Sequence, residues 1–365
     1  SMILCSNPSE QFKSYQSEIE LAVSAVMRSK NYILGEQVSL LEGEFAKYIG
    51  TSSAIGVANG TDAIEIALRS LNIGYGDEVI TVSHTAVATV AAIEASGAKA
   101  VLVDIDPNFY TLNPNQLEMV LTKRTKAVIA VHLYGNAVDL DSVLSFCKAN
   151  KIFLIEDVSQ AHGAKYKGKR LGSIGDIGCF SCYPTKNLGA IGDAGLVTTN
   201  NLDFANKVRM IREYGWHNRT SMFPGRNSRL DELQAAILRI KLKYLDSDNQ
   251  KRRDTAKFYY DNLSLLPIEF PKISLNVESV FHLFVINVEN QKKLIDYLKK
   301  EGVMAGIHYP LPVHLHPAYK DRVAISKDMS VTEGIVKKIV SLPIYPELSH
   351  SDTTLIVNAI KKFFK

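Results

Sequence analysis

From Ser53 onward, short apolar segments alternate with segments whose apolar residues recur at helical spacing. The segment "SSAIGVAN" precedes the helical pattern "TDAIEIALRSL", in which Ile64, Leu68 and Leu71 share one face. The runs "DEVITV", "AKAVLVDID", "TKAVIAVHLYG" and "IFLIEDVS" follow, and further helical patterns separate several of them. These runs are continuously apolar rather than alternating. They therefore favour an α/β fold, with a mostly parallel sheet covered by helices.

The alternation of strand and helix patterns stops after Gly168, where two closely spaced strands are predicted in "IGCFSCYPT" and "AGLVTTN". The long helical pattern "SRLDELQAAILRIKLKYLDSDNQKRRDTAKFYYDNL" then leads the chain out of the sheet domain. Beyond it, only a few strand patterns remain, such as "VFHLFVINV". We predict a large domain over residues 1–245 and a small α+β domain over residues 246–365.

Composition excludes several classes of function. The 365 residues carry a net charge of +4, and the positive side chains are dispersed, so no nucleic-acid surface is expected. No apolar run approaches the roughly 18 residues that cross a bilayer, and no export signal is visible, so we expect a cytoplasmic protein. Cys179 and Cys182 form a C-x-x-C. In a strand, positions three apart point to opposite faces, which favours buried core cysteines over a redox pair.

One lysine, Lys186, lies in the apolar and glycine-rich stretch "FSCYPTKNLGAIGDAGLVTTN". An amine held in a poorly hydrated site loses its proton more easily and becomes a nucleophile suited to forming a Schiff base. The glycines Gly189, Gly192 and Gly195 permit a turn against which a flat ligand can lie. The alternative is an ordinary surface lysine in a turn.

Three other segments supply matching chemistry. Asp157 ends the run "IFLIED", where a carboxylate either caps the next turn or accepts a hydrogen bond from a protonated pyridine nitrogen, and Gln160 can reach a substituent of that ring. Gly60 and Thr61 open a helix whose free N–H groups and dipole suit a phosphate dianion, although an ordinary helix start has the same pattern. Ser181 adds a hydroxyl in the strand before the lysine.

Together, the segments "EDVSQAHGA", "GDIGCFSCYPTKNLGAIGDAGLVTTN" and "NSRLDELQAAIL" closely resemble the DegT/DnrJ/EryC1/StrS family of pyridoxal phosphate-dependent sugar aminotransferases. The resemblance extends from about Asn31 to Ser349. It implies the aspartate aminotransferase fold (type I), with a large mixed sheet, a smaller C-terminal domain and a homodimer that shares its active sites.

The resemblance also implies roles for single residues. Lys186 matches the lysine that binds the pyridoxal 5'-phosphate aldehyde and carries the proton, and Asp157 matches the acid at the pyridine nitrogen. Gln160 matches the residue beside the ring. Asn227 matches an asparagine that reaches the phosphate of the partner subunit, and the remaining phosphate contacts correspond to Gly60, Thr61 and Ser181.

One position departs from the family pattern. Where relatives commonly have an aromatic ring that stacks on the cofactor, this chain has Ala86 in "SHTAVATVAAI". His84, two residues earlier, can supply a stacking face instead, and the sequence leaves open whether His84 or Ala86 lies over the cofactor ring.

Sugar recognition is expected from two segments and from Tyr183. The candidates in "EYGWHNRTSMFPGRNSR" are Trp216, His217 and Arg219, and arginine forks such as those of Arg226 and Arg229 also suit a pyrophosphate. The segment "GIHYPLPVHLHPAY" contributes His308 and Tyr309. Its H-x-H, His314 and His316, lacks the nearby carboxylates or cysteines that a metal site requires.

The resemblance predicts an aminotransferase that moves an amino group from glutamate to a nucleotide-linked keto sugar. The branch that it most resembles acts on dTDP-3-keto-6-deoxyhexoses, as in lipopolysaccharide or O-antigen biosynthesis, and a 4-keto sugar is the nearest alternative. A sugar dehydratase of the same family is a second hypothesis, but such members have a histidine where this chain has Lys186. A protein that binds the nucleotide sugar without turnover is a third.

Overall fold

The computed structural model describes all residues from 1 to 365. Its helices are α1 Pro8–Ser14, α2 Gln16–Arg28, α3 Glu36–Ile49, α4 Gly60–Ser70, α5 Val87–Ser96, α6 Leu117–Val120, α7 Leu140–Asn150, α8 Leu202–Ile211, α9 Glu232–Leu263, α10 Gln291–Lys300, α11 Ser330–Ile335 and α12 His350–Phe363. Its strands are β1 Ser53–Val57, β2 Glu78–Val82, β3 Lys99–Val103, β4 Thr125–Val131, β5 Phe153–Asp157, β6 Lys165–Tyr166, β7 Lys169–Arg170, β8 Ile177–Ser181, β9 Gly195–Thr199, β10 Trp216–His217, β11 Thr220–Ser221, β12 Val277–Glu278, β13 Phe284–Asn287, β14 Ala324–Ile325 and β15 Ile339–Leu342.

An eight-stranded mixed sheet forms the centre, in the order β1-β9-β8-β5-β4-β2-β3-β14. The pairs from β8 to β14 are parallel, whereas β9 runs antiparallel to both β1 and β8. Every residue of β1 and β9 is buried, and successive strand residues point to opposite faces, so both faces of the sheet are covered. The continuous apolar runs therefore predicted the sheet correctly.

The two strands predicted around the lysine segment are β8 and β9. They pair antiparallel, with Cys179 opposite Val197. Cys179 and Cys182 are both buried and carry free thiols, which confirms that they are core cysteines. Burial raises the pKa of the Cys182 thiol to about 12, so it stays protonated and unreactive at neutral pH.

The C-terminal part has its own core. The antiparallel pair β13 and β15 packs with α10, α12 and the end of α9, and the side chains of this second core include Tyr259, Phe284, Leu298 and Ile356. Helix α9 runs without interruption through the boundary predicted at residue 245. Ala235, Leu238 and Leu245 of this helix belong to the large core, and Ala256, Tyr259 and Leu263 belong to the second core.

Two further contacts join the parts. Strand β14, from the C-terminal part, pairs with β3 at the edge of the large sheet, and Ile3 near the N-terminus belongs to the second core. No helix of the structure combines the length and the apolar character needed to span a membrane.

Candidate functional site

A cavity of about 230 Å³ lies where the carboxyl ends of β4, β5 and β8 meet the start of α4. The carboxyl ends of parallel strands are the usual ligand-binding edge of such a sheet. The cavity brings together seven residues that the sequence singled out: Gly60, Thr61, Asp157, Gln160, Ser181, Tyr183 and Lys186. We call it the strand-end cavity.

Lys186 follows β8 in a tightly folded loop. Its backbone N–H donates to the carbonyl of Tyr183 at 2.9 Å. A Cβ on Gly189 would lie 2.4 Å from the carbonyl oxygen of Pro184, so only glycine allows the loop to close this far. The neighbouring Asn187 is buried and donates to Asn249 at 2.9 Å, which fixes the lysine segment against α9.

The surroundings of Lys186 favour the neutral amine. Burial lowers the pKa of Lys186, and the charge of Asp157 only partly opposes this effect. Three imidazoles lie close to the amine. Burial lowers the pKa of His162 to about 3 and that of His308 to about 4, and it places the pKa of His282 well below its usual value. These three rings are therefore uncharged at neutral pH and add no positive charge near Lys186.

Asp157 is the last residue of β5 and is buried. One carboxylate oxygen accepts a hydrogen bond from the Thr89 hydroxyl at 3.0 Å, and the other accepts from the Ser159 backbone at 3.2 Å. Both donors fix the carboxylate in the wall of the cavity, where it can accept from a ligand that carries a proton on a ring nitrogen.

Gln160 joins two parts of the wall. Its Oε1 accepts from the Tyr134 backbone N–H at 2.9 Å, and its Nε2 donates to the Tyr309 hydroxyl at 2.7 Å. Burial raises the pKa of Tyr309 to about 12, so this hydroxyl stays protonated. Tyr309 thereby connects the C-terminal part of the chain to the site.

The start of α4 forms a cradle for an anion. Asn59 caps the helix, with its side chain accepting from Asp62 N–H at 2.8 Å, while the N–H groups of Gly60 and Thr61 have no intrahelical acceptor by position. A Cβ on Gly60 would lie 2.5 Å from Cβ of Ser181, so the glycine brings the helix against the strand that leads to the lysine. Backbone donors and a hydroxyl converge here.

The structure does not bring His84 to the strand-end cavity; Ala86 lines it instead. His84 is buried behind the wall, where its Nε2 lies 2.7 Å from the Tyr134 hydroxyl and its Nδ1 has no partner. Burial lowers the pKa of His84 to about 3. The backbone directs the His84 side chain behind the wall, where it contacts Tyr134, and leaves the Ala86 side chain to line the cavity.

The other predicted recognition residues lie outside this cavity. Trp216 and His217 form β10, which pairs with β11 in an exposed hairpin. The Arg219 guanidinium lies 4.7 Å from the centre of the Trp216 ring, a cation–π contact. His308 Nδ1 lies 2.8 Å from the Ser341 hydroxyl. We call residues 216–221 the recognition hairpin.

The arginines near this hairpin have protein partners. Arg226 pairs with Glu65 at 2.7 Å, and Arg229 pairs with Glu213 at 3.1 Å, so both guanidinium groups are already ion-paired within the chain. Asn227 is exposed and its Oδ1 accepts from Arg229 at 3.0 Å; it does not line the cavity of its own chain.

In the H-x-H segment, His314 contacts the Ser83 hydroxyl at 2.6 Å and Glu333 at 2.9 Å, which occupies both of its ring nitrogens. The imidazole of His314 therefore joins two protein segments.

Sequence reasoning missed Thr89 and Tyr134. Tyr134 lies in the short segment after β4, which ends at Val131, so the rule that ligands bind past strand ends pointed to this region. Thr89 lies inside α5, where nothing in the local pattern distinguishes it from a helix-packing residue.

The geometry fits a flat, phosphorylated pyridine. A helix start and a hydroxyl suit the phosphate, a buried carboxylate suits a protonated ring nitrogen, and an amine that burial biases towards its neutral form suits an aldehyde. All three groups open on the same cavity.

Comparisons with known proteins agree with this reading. The model of the DegT/DnrJ/EryC1/StrS aminotransferase family matches residues 13–361. The dTDP-3-amino-3,6-dideoxy-alpha-D-galactopyranose transaminase of Aneurinibacillus thermoaerophilus is 44% identical over 96% of both chains. The dTDP-3-amino-3,4,6-trideoxy-alpha-D-glucose transaminase of Streptomyces venezuelae is 39% identical over 96% of this chain and 93% of the relative.

Solved structures agree as well. DesV of S. venezuelae, in complex with a ketimine intermediate, superposes with a TM-score of 0.96 at 38% identity, covering 100% of this chain and 98% of that one. The sugar aminotransferase Spr1654 of Streptococcus pneumoniae, described as putative and solved in a PLP form, has a TM-score of 0.89 at 25% identity, covering 95% of both chains. The predicted fold class, an aminotransferase architecture around a mixed and mostly parallel sheet, is confirmed.

Proposed function

Because this chain belongs to the DegT/DnrJ/EryC1/StrS aminotransferase family, we propose that it transfers an amino group from glutamate to a nucleotide-linked keto sugar. The cofactor is pyridoxal 5'-phosphate, and the product favoured by the 44% identical relative is a dTDP-3-amino-3,6-dideoxyhexose. The observation that carries the proposal is the convergence of Lys186, Asp157 and the start of α4 on the strand-end cavity.

Each group of the cavity has a proposed task. The N–H groups of Gly60 and Thr61 and the hydroxyl of Ser181 hold the phosphate, and Asp157 accepts a hydrogen bond from the protonated pyridine nitrogen. When bound, the cofactor supplies an electron sink for the carbon that loses a proton. Asp157 keeps that sink effective, since an ion pair at the ring nitrogen favours the protonated ring.

Lys186 binds the cofactor and moves the proton. Burial lowers its pKa, so more of the amine is neutral and available to take a proton from the amine-bearing carbon and then return it. Gln160, which lines the cavity and is held by Tyr134 and Tyr309, would lie beside the ring. These hydrogen bonds keep the wall in place while the substrates exchange.

We further propose a homodimer in which Asn227 reaches the phosphate of the partner. Asn227 is exposed in its own chain, and a side chain that contacts a partner subunit must lie on the surface of its own subunit. Three exposed apolar side chains, Ile33, Ile191 and Leu233, form a patch nearby on the surface. They lie together because Ile33 forms a β-bridge with Asp231, and the Ile191 N–H donates to the side chain of Gln234, next to Leu233. A second copy would cover this patch.

Sugar recognition is assigned to the recognition hairpin and to the residues at the cavity mouth. Trp216 orients Arg219, whose fork suits a pyrophosphate, and His217 lies beside them. Tyr183 is exposed and lines the cavity, whereas Tyr309 contacts it through Gln160 and His308 precedes Tyr309 in the chain. The pathway we assign is deoxyamino-sugar synthesis for lipopolysaccharide or O-antigen in the cytoplasm, a compartment that suits four free thiols.

A visible spectrum tests the reaction. Purified protein with pyridoxal 5'-phosphate should turn yellow, and glutamate should bleach the colour. Lys186→Ala should never form the lysine-bound chromophore, whereas Lys148→Ala, which removes an exposed lysine on α7, should behave as wild type. A wild-type spectrum that glutamate leaves unchanged would favour a non-catalytic binding protein.

A product assay separates the remaining alternatives. Incubation with dTDP-3-keto and dTDP-4-keto 6-deoxyhexoses should give an amino sugar from the 3-keto compound. Loss of a hydroxyl without gain of nitrogen would indicate a dehydratase, which the lysine at position 186 disfavours.

A further inference from the structure

Helix α4 carries two buried carboxylates immediately behind the proposed phosphate cradle. Asp62 lies in its first turn and Glu65 in the next, and both side chains are almost fully buried. Nη1 of Arg226 lies 2.9 Å from Asp62 and 2.7 Å from Glu65, so one guanidinium nitrogen bridges both acids.

Other contacts hold the same acids. The Ser228 hydroxyl donates to the second oxygen of Asp62 at 2.6 Å, and Ser228 also accepts from the Ala58 backbone at 3.1 Å. Arg69 is more distant, at 3.7 Å from Glu65. Arg226 is therefore the main positive charge that the two carboxylates contact.

These acids pose an electrostatic problem for a phosphate site. A helix start attracts a dianion through its free N–H groups and dipole, but carboxylates in the first turns occupy the same positive field. In a partly buried setting, like charges repel more strongly than in water. Two uncompensated carboxylates would oppose the phosphate that Gly60 and Thr61 are proposed to bind.

We propose that Arg226 is a positioning residue for the cofactor phosphate: by neutralising Asp62 and Glu65, it leaves the start of α4 attractive to a dianion. This inference rests on the proposed function, because it takes the cradle of α4 to be the phosphate site. It gives Arg226 a task different from substrate recognition, to which its place in the sequence pointed.

A purely structural role is the competing explanation. Arg226 also ties the segment that contains Asn227 to α4, and a displaced Asn227 would weaken a phosphate contact in the partner's site. The two explanations differ in what restores binding. Removing a negative charge repairs an electrostatic defect, whereas it does not return a displaced segment to its place.

The experiment compares two ligands, pyridoxal 5'-phosphate and pyridoxal, which lacks the phosphate. Their affinities are measured by titration of the lysine-bound chromophore in wild type, Arg226→Gln and Arg226→Lys. We expect Arg226→Gln to reduce the affinity ratio of phosphorylated to unphosphorylated ligand by about tenfold or more, mainly through the phosphorylated one. Arg226→Lys keeps the charge and should stay within about threefold of the wild-type ratio.

Charge rescue decides between the explanations. Asp62→Asn keeps an acceptor for Ser228 but removes one negative charge. In the double variant with Arg226→Gln, the affinity ratio of phosphorylated to unphosphorylated ligand should therefore regain more than half of its loss on a logarithmic scale. The control Arg209→Gln removes an arginine of α8 whose contact is the local Asn206, and it should leave the ratio unchanged.

Two outcomes would overturn the inference: an unchanged ratio in Arg226→Gln, or a reduced ratio that Asp62→Asn fails to recover. Failure of the proposed function looks different, because wild type would then bind neither ligand through Lys186.

Discussion

The wall around Lys186 and Asp157 is buried and cross-linked by side-chain hydrogen bonds, whereas the recognition hairpin is largely exposed and is held by the backbone pairing of β10 with β11. Asp157 has two hydrogen-bond donors within its own chain, and the lysine loop is tied to α9 through Asn187. Arg219, by contrast, contacts only the Trp216 ring at 4.7 Å. The difference shows that the side chains around Lys186 and Asp157 are held in place by a single chain, whereas that of Arg219 has few contacts to hold it.

The largest expected effect on catalysis comes from a substitution in the buried wall around Lys186 and Asp157. Asp157→Asn keeps the shape and an acceptor for Thr89 but removes the charge, so kcat/KM should fall by about a hundredfold or more. Steady-state kinetics with glutamate and the keto sugar measure it. Asp141→Asn, an exposed acid at the start of α7, is the control and should change little. A loss below about fivefold would mean that Asp157 is only a structural cap.

Gly60→Ala tests how closely the cradle is packed. The added methyl would lie 2.5 Å from Cβ of Ser181, so we expect a loss of about 1–3 kcal/mol in the free energy of unfolding and weaker cofactor binding. Thermal unfolding and cofactor titration check both effects.

The matched control is Gly43→Ala in α3, where no atom lies within 4 Å of the added Cβ. Because alanine favours helices over glycine, this variant should be stabilised by about 0.5–1 kcal/mol. Equal behaviour of the two variants would contradict the close packing of α4 on β8.

Arg219→Ala tests the exposed side. The substitution removes a guanidinium proposed to bind the pyrophosphate but leaves the fold intact. KM for the nucleotide sugar should therefore rise by about tenfold, while kcat and the melting temperature stay nearly constant. Arg209→Ala serves as the control. If kcat fell with unchanged KM, the residue would belong with the chemistry instead, and the contrast between the two regions would be lost.

The smallest effect concerns the cost of burying the amine. Because the folded-state pKa of Lys186 is lowered, the unfolded chain binds its proton more tightly, and this cost is fully present below the folded-state pKa and fades as pH rises towards 10.5. In cofactor-free protein, Lys186→Met should therefore melt higher by about 2–5 °C at pH 7. Differential scanning calorimetry measures the difference in melting temperature between Lys186→Met and wild type at pH 7 and pH 10. This difference should be smaller at pH 10, and Lys148→Met should show no such trend.

Much of the site was predictable because its residues follow strand ends. Asp157 ends a continuous apolar run, and Lys186 follows another with glycines around it, so local composition marked both. Thr89 was not predictable, since its hydroxyl meets Asp157 only when α5 packs beside β5. The ionic partners of Arg226 and Arg229 were likewise unreadable, because they lie 161 and 16 residues away along the chain.

The sequence by itself determined the order of strands and helices, the apolar surroundings of one lysine and the family resemblance, because each is written in local patterns of hydrophobicity and residue type. Only the tertiary structure decided that Ala86 rather than His84 lines the cavity, that Tyr309 meets Gln160 and that Arg226 neutralises α4. The physical reason is that these are contacts between distant segments, whose distances and charges arise only when the sheet, α4 and the C-terminal part pack together.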